Sequence, residues 1–416
     1  MPVNVLYAQS GGVTSVMNAS AAGVFGAARE YPSHIGRVFA AKNGILGVLN
    51  EELIDTACLS AADLAKLKVT PGGAFGACQH KIKTEAELAR LLAVLKAWDI
   101  GYFFYNGGGD SADTCLKVSE LAEAAGYPLL AVHVPNTIDN DLPHTDNSPG
   151  FGSVAKYVAT SVREAGLDVA SMAASTSKVF ILEVMGRHTG WIAAASALAS
   201  RNDAEPPHLI LLPEVGVNEA RLLAAVEDTV ARFGYCVIVA AEGVKDTHGE
   251  FLSAAAGKDG NVQLGGLAPY LAGIIKARCG FKCHCSVADY LQRAARHIAS
   301  NTDLTQAIAV GEAAVKLAVA GQGGMMTTIE RLSDTPYTWD IGAVPLGVVA
   351  NCEKSLPAEF ISPDGFGITA AARRYLAPLI AGEAPPPYVD GLPDYGAWVW
   401  AIEPPCLPAF SIKSIT

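Results

Sequence analysis

A short β-branched or aromatic run, a glycine-containing turn, and an alanine- and leucine-rich amphipathic stretch of several helical turns recur along this chain. Residues 3–8 run into 10–15 and a helix beginning near Val16; residues 101–105 run into 106–111 and a helix near 112–125. Residues 129–134 lead into 135–142 and residues 178–184 into 185–190, with 209–212 and 236–240 completing the series. This is the rhythm of βαβ units, whose parallel strands are buried on both faces and whose ligands gather at the strands' carboxyl ends. One sheet holding every strand would be wide. The sequence therefore predicts an α/β protein of two doubly wound, largely parallel domains, with an active site in the cleft between them.

The first boundary falls near 150–152, before a helix that carries Tyr157 and Arg163. Residues 1–150 read as one domain, completed by about 292–350, and 151–291 as a second, completed by about 351–384. Residues 385–416 form a proline-rich tail that cannot be regular helix or central strand. Its Trp398 and Trp400 point to packing against the body or against a partner.

With 50% hydrophobic and 17% charged residues, disorder is excluded. A formal charge of −11 argues against a broad grip on nucleic acid or anionic lipid, so an anionic substrate needs a locally basic pocket. No run approaches the roughly 18 apolar residues of a membrane span, and the N-terminus lacks a basic leader region, so no membrane association and a cytoplasmic address are expected. The nine cysteines are scattered. Cys279, Cys283 and Cys285 surround His284, but without paired CxxC spacing they read as packed thiols rather than a zinc site.

Three glycine turns carry the chemistry. Ser10-Gly11-Gly12-Val13-Thr14-Ser15 and Asn106-Gly107-Gly108-Gly109-Asp110-Ser111 each follow a strand and open a helix, which places bare backbone N–H groups and a positive dipole end at one point. Pro71-Gly72-Gly73-Ala74-Phe75-Gly76 is followed by His80, Lys81 and Lys83. Together they point to a polyphosphate. Walker and Rossmann fingerprints are absent: the Gly257-Lys258 pair continues into Asp259, and no GxGxxG opens the first helix. The segment Pro135-Asn136-Thr137-Ile138-Asp139-Asn140-Asp141 sets two carboxylates two residues apart at a strand end. On extended chain they point the same way, so one can hold a divalent ion while the other takes a proton. Met185-Gly186-Arg187 delivers an arginine fork to a similar strand end, suited to phosphate.

These motifs, with Met17-Asn18-Ala19, Ala241-Glu242-Gly243 and Tyr290-Leu291-Gln292-Arg293, occur in the order seen in phosphofructokinases, which this chain resembles over about residues 3–331. The resemblance implies that residues 1–150 bind a phosphoryl donor and 151–291 a sugar phosphate. Asp139 is then the base for the 1-hydroxyl of fructose 6-phosphate, Thr137 a donor to the transferring phosphoryl group, and Asp141 a ligand of Mg2+. Met185, Gly186, Arg187, Glu242, Tyr290 and Arg293 would hold the sugar phosphate. Lys178 and His284 stand where many family members donate arginines across a subunit interface, and a homo-oligomer, dimer or tetramer, is implied.

The donor side would be formed by Gly11, Gly12, Gly108, Gly109, Asp110, Ser111, Lys81 and Asn136. In one register Asp110 falls where the pyrophosphate-dependent branch carries an aspartate that obstructs ATP; shifted by one, it is the family's ordinary aspartate and a second metal ligand. Asn136 replaces the lysine usual in that branch. The first loop resembles the pyrophosphate-dependent type, so pyrophosphate is the expected donor. An ATP-dependent kinase and a non-catalytic regulatory subunit are the rival readings.

Overall fold

The computed structural model describes residues 2–256 and 262–410; the Gly257-Lys258 pair lies outside the described residues. The chain divides into two units. One comprises Met1–Gly150, Arg296–Glu353 and Gly382–Thr416; the other comprises Phe151–Ala295 and Lys354–Ala381.

In the first unit the strands are β1 (Val3–Gln9), β2 (Ile35–Ala41), β3 (Leu53–Asp55), β4 (Ile100–Gly107) and β5 (Leu130–Pro135). The helices between them are α1 (Met17–Ala28), α2 (Ile45–Asn50), α3 (Ala61–Val69), α4 (Glu85–Ala97) and α5 (Gly109–Ala124). β5, β4, β1 and β2 are parallel neighbours of a seven-stranded sheet, closed at one edge by antiparallel β3 and at the other by the antiparallel hairpin Met325–Asp334 and Tyr337–Pro345. Aromatic-rich β4 is buried along its whole length, as a central parallel strand must be. Alternate residues of the strands feed two cores. Phe103, Tyr105 and Ala131 pack under α4 and α5, while Tyr7, Phe104 and Val134 pack under α1 and the helix Asn301–Val319.

The second unit opens with the long helix α6 (Phe151–Met172). Its strands β6 (Val179–Val184), β7 (Leu209–Leu211) and β8 (Cys236–Ala241) join the strand Cys283–Val287 in a four-stranded sheet, every pair of it parallel. The expected α/β architecture of two largely parallel sheets is thus present, with the antiparallel hairpin at 325–345 an addition to it.

The tail is not helical. It lies on the first unit: Glu403 N–H donates to the Leu53 carbonyl, and Cys406 and Leu407 N–H groups donate to the buried Glu51 carboxylate. Glu51 also takes the Trp98 indole N–H and pairs with Arg90 at 2.8 Å, so four donors satisfy one buried charge. Trp398 and Trp400 pack against the body of the first unit.

Candidate active site

Register brings three of the predicted loops together. Gln9 of β1 pairs with Asn106 of β4, and Gly107 with Pro135 of β5, so the carboxyl ends of these strands finish side by side. The loops stay joined past the strands: Ser10 N–H donates to the Asn106 carbonyl and Asn136 N–H to the Gly107 carbonyl, both at 2.8 Å. The turn from β4 into α5 requires glycine, because a Cβ at Gly107 would lie 2.2 Å from Ser111 Oγ. Gly108 caps α5 with no side-chain partner; Ser111 N–H turns back to the Gly108 carbonyl, leaving the Gly109 and Asp110 N–H groups for a ligand. Gly11, Gly12, Gly108 and Gly109 all keep some exposure here. The third glycine loop joins them when Ser10 forms a parallel bridge with Cys78.

Past that bridge the chain presents Lys81, whose Nζ lies 2.7 Å from Asp110 Oδ1 in the first turn of α5. Glu87 anchors the approach, accepting from Lys83 N–H, Thr84 N–H and Thr84 Oγ1 and meeting His80 Nε2 at 2.7 Å. Burial pushes this carboxyl up, but those hydrogen bonds outweigh it and hold the group at about 2.

Two donor-side expectations are corrected. Asn136 is fully buried, accepts from Thr14 Oγ1 at 2.6 Å and donates to Ser20 Oγ at 3.3 Å, so it ties β5 to the first loop and helix instead of facing a ligand. Ser111 is 1% exposed, its hydroxyl turned onto Gly107 by the tightness of the β4–α5 turn.

The segment after β5 is also not extended. Residues 138–139 form a bend and Asn140 takes a left-handed conformation with φ of 53°, while its side-chain oxygen accepts from Ser148 N–H. The alternation argument for Asp139 and Asp141 therefore fails, because the turn lies between them. Thr137 is 8% exposed, and its Oγ1 accepts from Asp139 N–H at 3.1 Å. One lone pair is thus used, and the hydroxyl proton is available for an outside acceptor.

In the second unit a separate cluster forms by the same logic. Met185-Gly186-Arg187 leaves β6 and Ala241-Glu242-Gly243 leaves adjacent β8; Glu242 N–H donates to the Val184 carbonyl and Gly243 N–H to the Gly186 carbonyl. Gly243 is obligatory here, since a Cβ would lie 1.9 Å from the Arg187 carbonyl oxygen. Arg187 is exposed. Tyr290 and Arg293 come from the short helix Asp289–Ala294, with the Arg293 guanidinium 3.9 Å from the Tyr290 ring centroid.

Two residues escaped notice as functional ones. Buried Gln292 accepts from Met185 N–H at 3.3 Å and locks that helix to the β6 turn, and buried Glu183 accepts from Gly266 and Ala268 N–H groups. The signal for Gln292 was its place between Tyr290 and Arg293. Glu242 is held above the usual glutamate value, first by burial and further by Glu183 and Asp289, with Gly186 N–H and Arg187 opposing.

Lys178 and His284 do not join this cluster within one chain. Lys178 precedes β6, at the end opposite Met185, and its Nζ donates to the Ala173 carbonyl; His284 pairs with Phe180 near the start of the same strand. Among the described residues no group of three or more His, Cys, Asp or Glu is arranged to hold a metal ion. The residues that could share an ion with a ligand are Asp110, at the start of α5, and Asp141, past the turn at Asn140; single carboxylates of this kind suit an ion that keeps several waters.

The phosphofructokinase family profile matches residues 4–318. The chain belongs to the phosphofructokinase family. Among curated members of the phosphofructokinase family, it is 58% identical over 396 residues to the pyrophosphate--fructose 6-phosphate 1-phosphotransferase of Halomonas elongata, covering 94% of each protein. It is 58% identical over 398 residues to the enzyme of the same name from Methylococcus capsulatus, covering 94% of this chain and 95% of that one. The crystal structure of a pyrophosphate-dependent phosphofructokinase from Nitrosospira multiformis superposes with a TM-score of 0.92 at 56% identity, covering 98% of this chain and 99% of that one.

Proposed function

We propose that this chain moves a phosphoryl group from pyrophosphate to the 1-hydroxyl of fructose 6-phosphate, reversibly, giving fructose 1,6-bisphosphate and phosphate. The observation that carries this reading is the near-full-length 58% identity to enzymes named for that reaction. Supporting it, residues that the family resemblance singles out form two clusters, each at the carboxyl ends of parallel strands.

The backbone N–H groups around Gly11, Gly12, Gly108 and Gly109, with Lys81, receive pyrophosphate. Met185, Gly186, Glu242, Tyr290 and Arg293 receive the sugar phosphate. The Asp139 carboxylate takes the proton of the 1-hydroxyl as that oxygen bonds to phosphorus; the bridging P–O bond breaks, and its electron pair leaves with the departing phosphate. Thr137, its lone pair occupied by Asp139 N–H, donates its hydroxyl proton to an oxygen of the transferring group. Arg187 neutralises charge that spreads over those oxygens. Asp141 would hold Mg2+, which when bound offsets the clustered charge of the donor.

No helix among the described residues is long and apolar enough to cross a membrane. Lys178 and His284, placed away from their own chain's cluster, serve a neighbouring subunit of a dimer or tetramer. The test is formation of fructose 1,6-bisphosphate from fructose 6-phosphate, pyrophosphate and Mg2+, with loss on chelation and recovery on adding Mg2+ back. Undiminished activity in excess chelator contradicts the metal role, and no product from pyrophosphate contradicts the function.

A further inference from the structure

The tail lies beyond the matched family segment, yet its Trp400 meets the loop that leads to Lys81. Trp398 and Trp400 are two residues apart on non-helical chain, both partly buried, while Val399 between them is fully exposed. Trp400 stacks on Phe75 with centroids 4.8 Å apart and rings inclined by 26°, and its indole N–H donates to the Ala74 carbonyl at 2.7 Å. Phe75, 1% exposed, makes edge contacts with Tyr7 and Phe25 on its other sides. The loop between Pro71 and Gly76 is therefore gripped from the core by Phe75 and from outside by the tail. Two residues past Gly76 the chain bridges Ser10, and three further on stands Lys81.

We propose that Trp400 is a positioning residue for the pyrophosphate site: by clamping the third glycine loop it sets the reach of Lys81. The inference rests on the assignment of that loop and Lys81 to the donor. A clamp of this kind affects donor binding and leaves the sugar-phosphate residues, which belong to the other unit, untouched.

The test compares KM for pyrophosphate with KM for fructose 6-phosphate in the full chain. Trp400→Leu keeps apolar bulk but has neither ring nor N–H; its KM for pyrophosphate should rise at least about fivefold, with that for fructose 6-phosphate within about twofold of wild type. Trp400→Phe restores the stack without the N–H, and its KM should fall between the two. Glu403→Gln, which loosens a tail residue paired with Arg37, should change neither constant. Melting curves establish that each variant is folded. An unchanged KM for pyrophosphate in Trp400→Leu, or an equal rise in both constants, overturns the proposal. If Lys81→Met raises the KM for pyrophosphate while Trp400→Leu does not, the clamp alone is wrong; if neither raises it, the donor assignment fails as well.

Discussion

Lys81 Nζ and Asp110 Oδ1 form a 2.7 Å ion pair that joins the third glycine loop to the first turn of the helix opened by the second. Asp110 remains well exposed in this pair, with 68% of its side chain accessible, so it still projects from the helix N-terminus. A partly exposed pair of this kind adds little to stability, so its interest is in what it holds in place. Asp110→Gly removes bulk and negative charge from that point, and kcat/KM with ATP should rise about tenfold or more, since each ~1.4 kcal/mol of relieved repulsion is tenfold. Steady-state assays with ATP check this. No gain with ATP would show that Asp110 does not obstruct it.

Asp139→Asn keeps the shape of the side chain but cannot accept the hydroxyl proton. Turnover should fall roughly 10²–10⁴-fold with KM for fructose 6-phosphate little changed. Kinetics of the purified variant decide the matter, and near-normal kcat would remove Asp139 from the base role.

Glu242 is protonated at a higher pH than an ordinary glutamate, because burial and neighbouring Glu183 and Asp289 disfavour its charge. Affinity for fructose 6-phosphate should therefore weaken on the acid side at a pH above the usual glutamate range. Glu242→Gln should raise the KM at neutral pH and flatten that acid limb. A variant profile with the limb intact would assign it to another group.

His133 on β5 is fully buried beside the Gly107–Gly108 turn, and burial pulls its imidazole down from 6.5 to about 3. Between those values the unfolded chain binds a proton that the folded chain does not, so stability rises with pH across this window and falls as the solution is acidified. The loss reaches on the order of 4 kcal/mol at the acid end. Denaturant titrations of wild type and His133→Leu between pH 7 and 4 should show a shallower decline in the variant. Parallel declines would mean that His133 is not responsible.

The glycine turns after β1 and β4, and Met185-Gly186-Arg187 after β6, were legible because the signal is local: an apolar strand, a glycine turn and a helix pattern adjacent in sequence. The hairpin at 325–345 was not. Its outer half alternates exposed Glu330 and Leu332 with half-buried Arg331 and Ser333, which as bare sequence resembles charged loop. Asn136 was placed on the donor side by the family resemblance, where the pyrophosphate-dependent branch carries a lysine; its burial depends on Thr14 and Ser20, over a hundred residues away. The turn between Asp139 and Asp141 depends on Asn140 capping Ser148, a contact that strand periodicity does not register. The docking of the tail depends on Glu51 and Phe75, more than 300 residues earlier, so no local pattern encodes it.

The most direct test of the central claim is a side-by-side determination of kcat/KM for pyrophosphate and for ATP, at saturating fructose 6-phosphate and Mg2+. With Asp110 in place beside the glycine loops, pyrophosphate should be favoured by at least about 100-fold, the equivalent of roughly 2.7 kcal/mol. Equal use of the two donors, or a preference for ATP, would contradict the account.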